Sequence, residues 1–131
     1  MSRSIADILY LENDVSPHKL VVFWLTEADY NVVVPKTFSD ALLVARKRRF
    51  DLFLIDNWID GGSGIELCKE FRKIDPVTPI LFYSGAAFEY DREEALAAGA
   101  DGYLIKPALS EALIEEVSRL IRLGRFRANA A

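Results

Sequence analysis

The chain has 131 residues, half of them hydrophobic (51%), and a formal net charge of -4. That length fits one domain of ordinary size with a single core. The acidic balance argues against a nucleic-acid binder, which needs a basic footprint. One cysteine, Cys68, excludes an internal disulfide and a cysteine metal cluster. The longest apolar run, Leu20 to Leu25, is too short to cross a bilayer, and Met1 to Ser4 precede no signal-peptide core. The expectation is a soluble cytoplasmic domain that binds neither nucleic acid nor membrane.

Ile5 to Leu11 is rich in large apolar residues, reads as a buried strand, and ends in Glu12-Asn13-Asp14. Ser16-Pro17 then offers an N-cap and a first helical proline, and Leu20, Val21, Trp24, Leu25 and Ala28 follow at helical spacing. Val32 to Val34 is a short strand stopped by Pro35. Ser39-Asp40 is placed as the cap of a second helix, Ala41 to Arg48. Its basic end, Arg46 to Arg49, complements the helix dipole and reads as a solvated terminus.

Phe50 to Asp56 is the stretch around which the chain is organised. Leu52 to Ile55 is a continuous apolar run, as expected of a strand buried on both faces. It delivers Asp56 at its carboxyl end, just before the turn Gly61-Gly62-Ser63-Gly64. A third helix runs from Ile65 to Ile74 with Cys68 on its apolar face. Ile80 to Tyr83 is a fourth buried strand ending in Ser84-Gly85. A fourth helix runs from about Tyr90 to Ala98 and is stopped by Gly99. Tyr103 to Ile105 is a fifth strand ending in Lys106-Pro107. Ser110 caps a last helix to about Leu123, Gly124 ends it, and residues 125–131 read as a frayed tail beyond a domain of 1–124.

Strands alternating with helices require parallel crossovers and a sheet covered on both sides. The fold class is therefore α/β, a doubly wound parallel five-stranded sheet. In the flavodoxin-like (βα)5 order 2-1-3-4-5, the first, third, fourth and fifth strands are neighbours. Ligands of such sheets bind at the carboxyl ends of the strands. Glu12, Asn13 and Asp14, then Asp56, Ser84 and Lys106 stand at those ends. Acids held ~5 Å apart repel by up to a few kcal/mol at an effective dielectric near 20. A hard cation relieves that repulsion, and oxygen ligands with room for water suit Mg²⁺.

The segments ILYLEND, DLFLIDNWIDGGSG, PILFYSG and GYLIKP, in this order, resemble a response-regulator receiver domain from about Ile5 to Leu123. The resemblance implies that Asp56 accepts a phosphoryl group from a histidine kinase's phosphohistidine or a small acyl phosphate. It implies that Glu12 holds Mg²⁺ through water and that the Trp58 backbone carbonyl ligates it directly, with Asn13 and Asp56. Ser84 would hydrogen-bond a phosphoryl oxygen and Lys106 would pair with phosphate. Tyr103 resembles the aromatic residue that turns inward on activation. Lys106-Pro107 would be a cis bond. The implied partners are a sensor histidine kinase or phosphotransfer protein and an effector at the fourth helix, fifth strand and fifth helix, with a homodimer left open.

Asn13 departs from the family's usual Asp at the metal. Its amide oxygen can coordinate, but without charge, so Mg²⁺ binding is expected to weaken by about tenfold or more, roughly 1.4 kcal/mol. Two alternatives follow. One is a constitutive interaction module with weak or no phosphorylation. The other is a phosphatase of the haloacid-dehalogenase type, which wants a second Asp two residues after the nucleophile, where this chain has Trp58. His18, the single histidine, reads as solvated.

Overall fold

The computed structural model describes residues 4–12 and 15–130, with residues 15–17 as backbone. Five parallel strands form the sheet: β1 (Ala6–Leu11), β2 (Tyr30–Val33), β3 (Leu52–Ile55), β4 (Ile80–Ser84) and β5 (Gly102–Ile105). Their order is β2-β1-β3-β4-β5, the expected flavodoxin-like order. The helices are α1 (Val15–Glu27), α2 (Phe38–Lys47), α3 (Gly64–Ile74), α4 (Glu89–Ala97) and α5 (Ser110–Ala130).

Successive side chains of a strand point to opposite faces, and the core divides accordingly. Phe53 and Ile55 of β3 pack with Ala41, Leu67, Phe71 and Ala95 on one side of the sheet. Leu52 and Leu54 pack with Val21, Leu25, Leu113 and Val117 on the other. All of β3 is buried, as befits a central strand covered by helices on both faces. The pairings Leu11 with Ile55, Ile55 with Phe82, and Ser84 with Ile105 bring the strand ends level. The polar residues just beyond them therefore share one crevice.

After Asp56 the chain makes a short antiparallel hairpin, Trp58–Ile59 against Gly62–Ser63, where the sequence suggests only a glycine-rich turn. Gly61, at φ 92°, supplies the left-handed residue of the reversal. Phe38 N–H donates to Asp60 O at 2.9 Å and docks α2 on this hairpin. Ser63 Oγ then caps α3 by accepting from Glu66 N–H at 3.1 Å.

The helix ends depart from the sequence reading in three places. Thr37, not Ser39-Asp40, caps α2, its hydroxyl accepting from Asp40 N–H at 3.1 Å. Ser16 lies inside α1, which begins at Val15. Gly124 does not end α5, and the expected frayed tail is helical to Ala130. Gly124 is instead a close-packing residue, since a Cβ there would stand 2.5 Å from Pro79 Cδ. The last turns are held by Arg127 paired with Asp101, and by Arg125 Nη2 donating to Ile5 O at 3.1 Å.

Candidate active site

Three ionisable side chains meet at the carboxyl end of the sheet. Lys106, from the end of β5, reaches across with Nζ 2.9 Å from Asp56 Oδ2, and it also pairs with Glu12 Oε1. Glu12 and Asp56 are both buried, 7% exposed each. Burial alone would lower the Lys106 ammonium pKa; hydrogen bonds to Glu12 and Asp56 outweigh that and raise it. The lysine therefore stays charged and neutralises part of the acidic pair. The Lys106-Pro107 peptide is cis, as the resemblance implies.

Tyr10 completes the support of Glu12, its hydroxyl donating to Oε2. The two residues are two apart and so share a face of the strand. Burial, reinforced by the bond to Glu12, raises the Tyr10 phenol and keeps it a donor. Tyr10 has no role among the sequence expectations, although its spacing of two residues from Glu12 is a usable signal. His18 is not simply solvated; its ring meets Tyr10 edge-on with centroids 5.6 Å apart.

Asp56 is positioned by backbone. Its N–H donates to Leu11 O at 3.2 Å, and Oδ1 accepts from Asn57 N–H at 2.6 Å. Gly64 N–H closes the loop onto Asn57 O at 2.8 Å. A Cβ on Gly64 would lie 2.1 Å from Asp56 O, so a side chain there would break this closure. Gly85 meets nothing within 4 Å of such a Cβ, which leaves the approach from β4 open.

Ser84 is fully buried, and its Oγ accepts from Ala86 N–H at 3.2 Å. Tyr103 stacks on Phe82, with centroids 5.8 Å apart and ring planes 12° apart. Its hydroxyl accepts from Asn57 Nδ2 at 2.9 Å and donates to Ala86 O at 2.7 Å. Burial raises its phenol pKa. Trp58 is 63% exposed beside this crevice. Asn57 also went unremarked in the sequence.

Asn13 and Asp14 lie outside the described residues, so the Asn13 ligand remains an expectation. Among the described residues no group of three His, Cys, Asp or Glu forms a metal cluster. The donors the crevice does offer, the carboxylates of Glu12 and Asp56, are hard oxygens of the kind Mg²⁺ accepts. In chemical type they fit that ion, with Lys106 already competing for both.

The family model for the response regulator receiver domain matches residues 8–118. Transcriptional regulatory protein ZraR of Salmonella typhimurium is 35% identical over 121 residues, covering 92% of this chain and 27% of that protein. Response regulator ArlR of Staphylococcus aureus is 28% identical over 118 residues, covering 90% of this chain and 53% of that one. The chain thus spans about half or less of these relatives. Chemotaxis response regulator CheY4 of Vibrio cholerae superposes with a TM-score of 0.82 at 29% identity, over 89% of this chain and 99% of that one. The receiver domain of sensor histidine kinase PA1611 from Pseudomonas aeruginosa, with a magnesium ion coordinated in its active site cleft, gives 0.82 at 26% identity over 88% and 97%. No described helix is long and apolar enough to cross a membrane.

Proposed function

This chain belongs to the response-regulator receiver family, whose general function is phosphorylation-based two-component signalling, and on that premise we propose that Asp56 is its phosphoacceptor. The observation that carries the reading is the Asp56 carboxylate, held on one oxygen by Lys106 and on the other by the Asn57 amide. In the proposed reaction an Asp56 oxygen attacks phosphorus. The bond from phosphorus to the donor's histidine nitrogen, or to an acyl oxygen, breaks with its electron pair leaving on the donor. Lys106 neutralises charge on the transferring group, and Ser84 donates its hydroxyl proton to a phosphoryl oxygen. Asn13, Asp56 and the Trp58 carbonyl would hold Mg²⁺ directly and Glu12 through water, and the ion would supply further charge neutralisation.

The donor is a sensor histidine kinase, a phosphotransfer protein or a small acyl phosphate. Output is through protein contacts on the α4–β5–α5 face, where Tyr90, Leu96, Ile105 and Leu109 are exposed. Tyr103 would report the phosphorylated state to that face. Beyond this phosphoryl acceptance and slow self-dephosphorylation, no turnover of a substrate is proposed. The product is a labile acyl phosphate, suited to a switch biased by local charge.

The test is intact mass after incubation with Mg²⁺ and a small acyl phosphate, with Asp56→Asn as control. A phosphoryl adduct on the parent protein, absent from the control, is expected. No adduct on the parent protein, with one restored by Asn13→Asp, would favour the second reading: an interaction module kept silent by one missing charge.

A further inference from the structure

Asn57 connects two parts of the site that the phosphoryl chemistry uses separately. Its backbone N–H donates to Asp56 Oδ1 at 2.6 Å, and its side-chain Nδ2 donates to the Tyr103 hydroxyl at 2.9 Å. That hydroxyl donates to Ala86 O at 2.7 Å, and Ala86 N–H donates to Ser84 Oγ at 3.2 Å. The hydrogen-bond path therefore runs from the residue beside the phosphoacceptor, through β5, back to the hydroxyl at the end of β4.

The proton inventory fixes the direction of each bond. A carbonyl only accepts, so Tyr103 spends its single proton on Ala86 and must accept from Asn57. The Asn57 amide is thereby oriented with nitrogen toward Tyr103. Its Oδ1 is buried with no partner among the described residues. A buried acceptor left unpaired is unfavourable, and the bond from Nδ2 to Tyr103 offsets it. At the other end, Ser84 Oγ accepts from Ala86 N–H, and its hydroxyl also stands in hydrogen-bond contact with the Tyr103 phenol. The backbone of Asn57 is itself clamped by Gly64 N–H at 2.8 Å.

We infer that Asn57 is a positioning residue: acting through Tyr103 and Ala86, it sets the place of Ser84 Oγ at the end of β4. This rests on the reading of Asp56 as phosphoacceptor. Asn57 touches no phosphoryl oxygen in this account. Its effect is indirect and should vanish when Tyr103 can no longer carry it.

The experiment compares the full chain with Asn57→Leu, which keeps size but removes the donor, Tyr103→Phe, the double variant, and Asn57→His, whose Nδ1–H restores a donor. The first readout is amide hydrogen exchange at Ala86, without phosphoryl donor or Mg²⁺. Exchange there should quicken by about fivefold in both single variants, the scale of one lost hydrogen bond, while β1 and β3 keep parental protection. The second readout is the rate of phosphoryl adduct formation from a small acyl phosphate. Asn57→Leu should slow it by about fivefold, add nothing in the Tyr103→Phe background, and be relieved in Asn57→His.

Parental exchange at Ala86 in Asn57→Leu would overturn the inference, and so would rate effects that multiply in the double variant. Failure of the Asp56 reading is seen separately, as no adduct on the parent protein. The exchange arm then still decides whether Asn57 holds the loop that carries Ser84.

Discussion

The ammonium of Lys106 lies 2.9 Å from Asp56 Oδ2 while also pairing with Glu12, whose side chain is fully buried. One cation thus serves two acids. Removing it in Lys106→Met leaves both carboxylates without compensation in a poorly solvated crevice. Breaking a buried pair in this way costs about 3 kcal/mol. The expected outcome is a urea midpoint lowered accordingly at pH 7. Mg²⁺ should stabilise this variant more than the parent protein, because the lysine no longer competes for the same oxygens. Equal Mg²⁺ responses would show that Lys106 and the metal do not share ligands.

Two glycines beside the site should respond differently to the same substitution. Gly64→Ala puts a Cβ 2.1 Å from Asp56 O, against backbone that cannot yield without moving Asp56. Overpacking of this kind costs about 1–3 kcal/mol or more. Phosphoryl acceptance should fall with it. Gly85→Ala meets nothing within 4 Å and should leave the urea midpoint unchanged. Denaturation of the two variants side by side checks both expectations, and equal midpoints would refute the packing argument.

Much of this site was legible in the sequence because a buried strand ending in a polar residue is a local pattern. Asp56, Ser84 and Lys106 could each be placed by reading where an apolar run stops. What was not legible depends on contacts between distant segments. Nothing near Asn57 announces that its amide meets a tyrosine 46 positions away. The start of α2 was misplaced because Thr37, Ser39 and Asp40 are all good caps, and geometry chose the first. Gly124 was read as a helix stop because glycine serves both as terminator and as a place for close approach. Only its packing on Pro79 separates the two.

Asp75, in the loop before β4, should account for part of the acid sensitivity of the fold. Burial pushes its carboxyl upward, but hydrogen bonds from Thr78 and Val77 outweigh that and hold it below the usual carboxylate range. Val77 and Thr78 N–H donate to Oδ1 at 2.9 and 3.0 Å. A carboxyl depressed in the folded state stabilises it above the unfolded pKa of about 3.9. That contribution is lost as pH falls through the lower folded value. Asp75→Asn should therefore be less stable than the parent at pH 7 and show a flatter decline below about pH 4. Urea midpoints between pH 7 and pH 2.5 measure this, and parallel curves would exclude Asp75 as a contributor.

The lifetime of the phosphorylated state turns on Trp58 and Ala86, which follow Asp56 and Ser84 by two positions each. Trp58 is 63% exposed and apolar over most of its surface, and Ala86 is buried at 8%. Ala86 carries no polar group and the Trp58 indole N–H only donates, so neither side chain offers an acceptor to align a water's O–H for attack on phosphorus. Hydrolysis needs that attack: water bonds to phosphorus, the bond to the Asp56 oxygen breaks, and inorganic phosphate leaves. The aspartyl phosphate should persist for many minutes in the purified protein. Trp58→Asn supplies an amide able to hold the water without taking its proton. A positioned proton-transfer group is worth ~10²-fold or more, so an orienting amide alone should shorten the lifetime by about tenfold. Intact mass followed over time after removal of the phosphoryl donor reads both. Decay within seconds in the parent protein would mean that something other than these two side chains positions the attacking water.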